Sequence, residues 1–281
     1  MAHAIHKGMS QLVEQCDIST IKEVDIKHLI DYDLIALGSP VWGGPPSNVR
    51  LFINNLTQLE KKHAIVFCTH GAAPERFFPT VVSSLRAKGL IVIGINDWYG
   101  SGNLPVSPKP YLTDGHPDEI DLQAAEHFGK EMVLLSQRIS AGQTRLIPQL
   151  EMPMLNPSGG HPRPRPTLNM QKCRHPECHL CMDNCPLDAI NLSVSPPVFA
   201  SGMCRPCYFC EMLCPEGAIE VDYVPLAELE IKQAKTVFAE ALNKAESEGR
   251  FRRLVPLEKV GWRTPYYVVN NKHPRYIIPK E

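Results

Sequence analysis

The chain has 281 residues, a formal net charge of −1, 43% hydrophobic and 21% charged residues, and ten cysteines. This composition is that of an ordinary globular protein with room for one large domain or two smaller ones, and the charge gives no indication of nucleic-acid binding. There is no apolar run of about 18 residues, and no apolar signal core is recognised near the start. We therefore expect a cytoplasmic protein whose cysteines bind metal in a reducing compartment instead of forming disulfides.

Residues 1–146 show helical and strand patterns that alternate along the chain. The predicted strands are the apolar runs at 32–38, 62–68 and 90–94, with a further short strand at 19–24. The predicted helices are 2–12, 48–56, 76–89 and 117–140. Alternation of this kind predicts an α/β domain with an open parallel sheet and helices on both faces.

The rest of the chain divides by composition into three parts. Residues 147–170 are rich in proline and predict a linker. Residues 171–223 contain eight of the ten cysteines. Residues 224–281 predict one helix over 225–248, followed by a basic and aromatic strap whose apolar side chains should pack against the protein.

The cysteines fall into two runs that repeat one another. The first run has the spacing C-x4-C-x2-C-x3-C-P and consists of Cys173, Cys178, Cys181 and Cys185. The second has the spacing C-x2-C-x2-C-x3-C-P and consists of Cys204, Cys207, Cys210 and Cys214. The six residues from Cys185 match the six from Cys214 at four positions. The second spacing is that of a [4Fe–4S] site, so the repeat predicts two clusters in a duplicated unit.

Residues 171–223 resemble the bacterial two-cluster ferredoxins, in which the cysteine before proline binds the cluster of the other half. The resemblance implies a small α+β ferredoxin domain with two crosswise ligand sets. Cluster 1 would be bound by Cys173, Cys178, Cys181 and Cys214. Cluster 2 would be bound by Cys204, Cys207, Cys210 and Cys185.

Zinc is the alternative metal for these cysteines, because four thiolates also form structural zinc sites. Such sites usually combine two C-x2-C pairs, which fits two repeated four-cysteine runs less well than iron–sulfur ligation does. His175 and His179 lie within the first run and are alternative ligands, although eight cysteines already supply two complete sets.

A glycine- and proline-rich string, residues 38–50, follows a predicted strand and opens a helix. It resembles the loop that runs beside the FMN ring in flavodoxin-like proteins, and residues 69–73 form a second loop after the next strand. Ligands of open α/β sheets bind at these carboxyl ends of strands. The resemblance implies that Trp42 stacks on the flavin and that the neighbouring loop residues contact the ring. These candidate FMN contacts are Ser39, Pro40, Val41, Trp42, Gly43, Gly44, Thr69, His70 and Gly71.

The whole chain thus resembles a flavodoxin–ferredoxin fusion protein, with one departure. No apolar strand and no phosphate-binding loop precede the first predicted helix, although the strand would be central to the sheet and the loop would hold the FMN phosphate. We expect that the sequence is truncated at its N-terminus. A degenerate domain that no longer binds FMN is the alternative.

Two clusters point to a protein that relays single electrons to or from FMN or to a partner oxidoreductase. The first alternative is an iron–sulfur flavoprotein reductase that acts directly on a small substrate. The second is a scaffold subunit without flavin. The sequence shows no paired carboxylates, Ser-His-Asp arrangement or phosphate-binding P-loop, and this favours the carrier.

Overall fold

The structure is a computed structural model that describes residues 1–41, 43–102, 104–152 and 163–262. Its contacts divide the chain into two compact units. The sheet unit consists of Met1–Ser101 and Gly115–Asn156, and the cysteine unit consists of Gly102–Asp114 and Pro157–Glu281.

The sheet unit alternates helices and strands, as the sequence predicts. Its strands are β1 (Leu34–Pro40), β2 (His63–His70) and β3 (Ile91–Tyr99). Its α-helices are α1 (Ala2–Met9), α2 (Ser47–Asn55), α3 (Phe77–Arg86) and α4 (Glu119–Ser140). Short 3-10 helices span Ile26–Asp31 and Thr144–Leu146.

The three strands form a parallel sheet in the order β1-β2-β3. Pro40 pairs with Thr69, and Thr69 pairs with Trp98, so that the strands end side by side. Parallel strands need crossover connections, and α2 and α3 supply them. This architecture confirms the predicted α/β class with an open parallel sheet.

Separate apolar layers cover the two faces of the sheet. On one face, Val66 and Val92 pack with side chains of α2 and α3, among them Ile53 and Phe78. On the other face, the strand residues pack with α1 and α4 in a cluster that comprises Ile5, Met9, Ile65, Phe67, Ile93, Trp98, Ala125, Phe128, Val133 and Ile139. Burial of both faces is what the nearly continuous apolar strands require.

Helices α1 and α4 approach each other closely because each carries a glycine at the contact. A Cβ atom on Gly8 would lie 1.9 Å from the backbone oxygen of Glu126. A Cβ on Gly129 would lie 2.3 Å from the backbone oxygen of Ile5. Any larger residue at either position would therefore force the two helices apart.

The strand predicted over 19–24 is wrong, because this segment forms a turn. The backbone N–H of Val24 donates to the carbonyl oxygen of Thr20 at 3.0 Å, and the Thr20 hydroxyl donates to Glu23 at 2.8 Å. These local hydrogen bonds compete with strand pairing, as side chains of this type often do. Ile21 and Val24 pack instead at the edge of the apolar layer that α2 and α3 cover.

The cysteine unit contains short elements. Strands β4 (Thr167–Leu168) and β5 (Ile219–Glu220) pair antiparallel, and Asn191 forms an isolated antiparallel bridge with Val198. Helices α5 (Leu180–Asp183) and α6 (Phe209–Leu213) occupy corresponding places in the two cysteine runs. The local structure therefore repeats with the sequence.

The helix predicted over 225–248 has three parts. Helix α7 (Val224–Gln233) leads into a π-helical turn (Ala234–Phe238), and α8 (Ala239–Ser247) follows. After α8 the described chain runs without regular structure except for a 3-10 turn at Leu257–Lys259. The ring of Trp262 lies 5.5 Å below Lys235 Nζ, whereas the rest of the predicted strap lies outside the described residues.

Within the described parts of the chain, no helix is both long enough and apolar enough to cross a membrane.

Candidate metal centre and sheet-edge site

The last cysteine of the first run lies with three cysteines of the second run. Cys185 lines one pocket together with Cys204, Cys207 and Cys210. Apolar groups of Leu187, Ala189, Ile190 and Phe199 complete much of its wall. We call these four cysteines site 2.

The last cysteine of the second run lies near the first run. Burial, together with the nearby thiols of Cys173 and Cys214, raises the pKa of Cys181 to about 11. We call Cys173, Cys178, Cys181 and Cys214 site 1. Cys185 thus lies with the second run, and Cys214 lies near Cys181 of the first run.

The fourth cysteine of each run is fixed by the same backbone turn. The N–H of Ala189 donates to Cys185 Sγ at 3.3 Å, and the N–H of Ala218 donates to Cys214 Sγ at 3.2 Å. The residue before each alanine has left-handed backbone, with φ of 48° at Asp188 and 60° at Gly217. The turn aims an N–H at the sulfur, which stabilises a thiolate.

Three thiols of site 2 lie where burial disfavours their charged form. Burial raises the pKa of Cys204, of Cys207 and, to about 12, of Cys210. Free thiols at these positions would remain protonated near neutral pH. A bound metal ion reverses this preference, because coordination deprotonates the thiol. Four cysteines that line one pocket, apolar walls and an N–H donor therefore fit a metal–thiolate group.

The two histidines of the first run differ in their surroundings. The Nδ1 atom of His175 is buried and has no hydrogen-bond partner among the described residues. His179 is exposed, and its Nε2 atom lies 3.8 Å from a carboxylate oxygen of Asp183. The eight cysteines provide two sets of four ligands without either histidine.

The two predicted flavin loops meet at the carboxyl edge of the sheet. Pro40 is the strand partner of Thr69, and the N–H of Val41 donates to the Thr69 carbonyl at 2.9 Å. Gly43 and Gly44 follow with positive φ angles of 73° and 127°, which glycine adopts at little cost. Trp42, the predicted stacking residue, lies outside the described residues.

His70 is the last residue of β2 and lies at this edge. Its Nε2 atom is hydrogen-bonded to Asp97 Oδ2 at 2.7 Å, and its ring packs edge-on against Tyr99 at 4.9 Å. The side chain is only 2% exposed, and its Nδ1 has no partner among the described residues. Of the other candidate contacts, Ser39 is buried and Gly71 half-buried. The two loops therefore lie side by side at the carboxyl ends of β1 and β2, and no phosphate-binding loop is found among the described residues at this edge.

Sequence reasoning missed the residues that back site 2. Tyr208 is 1% exposed and packs against Tyr223 and Val106. Val106 belongs to Gly102–Asp114, a segment that lies far away in the sequence yet forms part of the cysteine unit. From the sequence, only Tyr208, which directly follows Cys207, could have indicated apolar side chains against site 2. No local pattern marks the distant segment Gly102–Asp114.

A scan against models of protein families finds no match. The chain is 33% identical over 57 residues to an uncharacterised ferredoxin of Methanocaldococcus jannaschii, a stretch that covers 20% of this chain and 92% of the relative.

Among solved structures, the chain is similar to an archaeal flavodoxin with 16% identity and a TM-score of 0.37, covering 48% of this chain and 87% of that one. It is also similar to the two-electron reduced flavodoxin of Megasphaera elsdenii, with 20% identity and a TM-score of 0.34, covering 45% and 88% of the two chains. At these TM-scores the two structures add nothing to the topology that the strand register defines.

Proposed function

This chain belongs to the ferredoxin family over a stretch of 57 residues, and on that premise we propose that it is an electron-transfer protein that holds two [4Fe–4S] clusters. Site 1 and site 2 each supply the four thiolates that one cluster requires. The observation that carries this proposal is the common pocket of Cys185, Cys204, Cys207 and Cys210, since it combines one cysteine of the first run with three of the second.

Each cluster, when bound, accepts and returns one electron. The residues of the chain hold the cluster, limit its contact with water and set its potential. The N–H of Ala189 toward Cys185 Sγ and that of Ala218 toward Cys214 Sγ favour the charged thiolates at corresponding points. Hydrogen bonds to cluster sulfurs and solvent exposure are known means of tuning such potentials.

The crosswise ligand sets are tested with paired cysteine variants purified without oxygen. Cys173→Ser and Cys204→Ser first identify the spectroscopic signals of site 1 and site 2. We expect Cys214→Ser to reproduce the loss caused by Cys173→Ser, and Cys185→Ser to reproduce the loss caused by Cys204→Ser. Iron, sulfide and electron paramagnetic resonance of the reduced protein are the measurements.

The opposite pairing of losses would overturn the ligand assignment and leave the electron-transfer role intact. Zinc in place of iron would overturn both. Cys68→Ser is the matched control, because Cys68 is fully buried in the sheet unit and belongs to neither run. It should retain both signals.

We further propose that the sheet unit binds FMN at the edge formed by residues 39–44 and 69–71. This rests on the adjacent strand ends of β1 and β2 and on the two positive-φ glycines of the first loop. FMN would couple the one-electron clusters to two-electron chemistry. The chain's own residues would bind the edge of the ring and shield it from water.

Titration of the protein with FMN, followed by flavin fluorescence, tests this proposal. Thr69→Glu places a negative charge at the proposed edge and should weaken binding by about tenfold or more. Thr57→Glu is the control, since Thr57 is exposed and precedes the opposite end of β2. Equal binding by both variants, or no binding by the unaltered protein, would contradict the flavin proposal without affecting the clusters.

We propose a cytoplasmic protein that exchanges electrons with a partner oxidoreductase. Turnover of a reduced nicotinamide or another small substrate by the isolated chain would instead favour the reductase. We prefer the carrier because the sequence shows neither paired carboxylates nor a Ser-His-Asp arrangement.

A further inference from the structure

A buried carboxyl group lies inside the cysteine unit, on helix α7. Glu230 is 6% exposed, and its carboxylate oxygen accepts a hydrogen bond from the Ser107 hydroxyl at 3.4 Å. The Tyr111 hydroxyl is also hydrogen-bonded to it. Both partners belong to Gly102–Asp114, so this segment covers the carboxyl. An acidic side chain is rarely buried unless it is paired with a cation or has a functional role.

The cover over Glu230 is held firmly in place. Lys109 and Asp114 form an ion pair of 2.8 Å, and Asp114 also accepts the N–H of Tyr111 at 2.9 Å. The N–H of Gly261 donates to the carbonyl of Pro110 at 2.9 Å. Lys109 is therefore engaged with Asp114, and Glu230 keeps neutral hydroxyl groups as its nearest partners.

A short series of contacts connects Glu230 with site 2. Val106, the neighbour of Ser107, packs against Tyr208, and Tyr208 directly follows Cys207. The charge of Arg163 acts on both the Glu230 carboxyl and the Cys207 thiol. At Glu230 it opposes the burial that raises the pKa of the carboxyl, and at Cys207 it opposes the burial that raises the pKa of the thiol. One charged side chain therefore acts on both places, and charges inside a poorly polarisable interior act over longer distances than in water.

A second buried polar group lies on the same face of α7. Gln233 follows Glu230 by three residues and is 4% exposed. Neither its amide oxygen nor its amide nitrogen has a partner among the described residues. The π-helical turn begins at the next residue, and such turns occur often at functional sites. The amide leaves a donor and an acceptor available to a water molecule beside the carboxyl.

We propose that Glu230 takes up one proton when the cluster of site 2 accepts one electron. This inference rests on the proposed function. A donor protein supplies the electron, the cluster is reduced by one electron, and a proton from water binds to the carboxylate oxygen. The uptake offsets the added negative charge. Reoxidation releases the proton, so atoms and charge balance over the cycle.

The direction of the pH dependence follows from this coupling. The electron adds negative charge near Glu230, so the pKa of Glu230 is higher in the reduced protein than in the oxidised protein. Between the two pKa values the potential of site 2 falls as pH rises, and the limiting slope for one proton per electron is about 59 mV per tenfold change in proton concentration. Below the lower pKa and above the higher pKa the potential is independent of pH.

Redox titrations of the iron-loaded full chain at several pH values test the proposal, with electron paramagnetic resonance reading the signal that Cys204→Ser removes. We expect a sloping pH dependence for the unaltered protein and a flat one for Glu230→Gln. The two potentials should agree at acidic pH, and that of Glu230→Gln should be higher at alkaline pH. Glu228→Gln is the control, because Glu228 is exposed on the same helix.

Infrared difference spectra of reduced and oxidised protein give a second readout. A protonated carboxyl band should appear on reduction and be lost in Glu230→Gln. A pH-independent potential for the unaltered protein with both clusters intact would overturn this inference alone. Absence of iron clusters would overturn the proposed function. Should Glu230→Gln fail to fold, Ser107→Ala and Tyr111→Phe serve as further variants. Each removes one hydrogen bond to the carboxylate, which raises the pKa of Glu230 and should move the sloping region to higher pH. An unmoved sloping region would overturn the inference.

Discussion

Site 1 and site 2 have the same local frame and different surroundings. In both, a turn with left-handed backbone aims an alanine N–H at the fourth cysteine, and a short helix carries the third. The residue after the second cysteine differs. His179 is exposed at site 1, whereas Tyr208 is buried at site 2 against Val106 and Tyr223. A duplicated sequence thus repeats its hydrogen bonds, while parts of the chain outside the repeat decide how each copy is covered.

Removal of iron should produce the largest difference between the two sites. Without metal, site 1 loses the bonds that hold its ends together, and we expect peptides over residues 173–183 to exchange their amide hydrogens rapidly. The apolar cluster of Tyr208, Tyr223 and Leu226 does not depend on metal and should keep protection over α7. Hydrogen exchange with mass spectrometry before and after chelation is the measurement. Equal loss of protection at both places would show that this cluster does not stabilise site 2.

Truncation of Tyr208 should have the next largest effect. Tyr208→Ala removes a fully buried ring and should lower the free energy of unfolding of the cysteine unit by about 3–5 kcal/mol. It should also make the signal of site 2 more sensitive to oxygen, because water and oxygen gain access. Thermal unfolding and decay of the signal in air measure these effects.

Two variants serve as controls for the Tyr208 prediction. Tyr208→Phe should be neutral or slightly stabilising, since the hydroxyl is buried and has no partner among the described residues. His179→Ala changes the corresponding exposed position of site 1 and should alter stability by about 0.5 kcal/mol or less. A large loss from His179→Ala would mean that the two sites are covered alike.

Opposite substitutions in the two left-handed turns test how much each backbone conformation costs. Gly217→Ala puts a side chain on left-handed backbone and should cost about 1–2 kcal/mol. Asp188→Gly removes that strain from the corresponding turn and should cost less stability than Gly217→Ala. Chemical unfolding of both variants is the measurement. Equal destabilisation by the two changes would indicate that the Asp188 side chain itself supports its turn.

Arg165 should produce the smallest effect, on the potential of site 2. Its Nη1 atom donates to the carbonyls of Ala200 and Ser201 at 2.7 and 2.9 Å, and its charge lies near Cys204. Arg165→Gln should lower the potential of site 2 by a few tens of millivolts, because a reduced cluster loses a nearby positive charge.

Redox titration of three variants separates this effect from structural disturbance. Arg165→Lys keeps the charge and should leave the potential of site 2 nearly unchanged. Arg174→Gln removes an exposed arginine that is ion-paired with Glu216 at 3.1 Å, and should leave both potentials nearly unchanged. A shift with Arg165→Lys as large as with Arg165→Gln would mean that the hydrogen bonds, not the charge, act on site 2.

The sequence by itself determined the alternation of helices and strands, the α/β class and the repeated cysteine frame. These features depend on local periodicity and spacing, which are present in the order of residues. The error at 19–24 also has a local cause, since Thr20 and Glu23 form a turn that apolar content alone does not indicate. Boundaries shifted by a few residues elsewhere, as β3 continuing to Tyr99 illustrates.

Only the tertiary structure decided which parts of the chain surround each site. It brought Cys185 into the pocket of Cys204, Cys207 and Cys210, a pairing that the sequence implied only through a family resemblance. It also assigned Gly102–Asp114 to the cysteine unit and buried Glu230 beneath it. Contacts between residues more than 100 positions apart leave no local pattern, because they arise from packing of apolar surface and from satisfying buried polar groups.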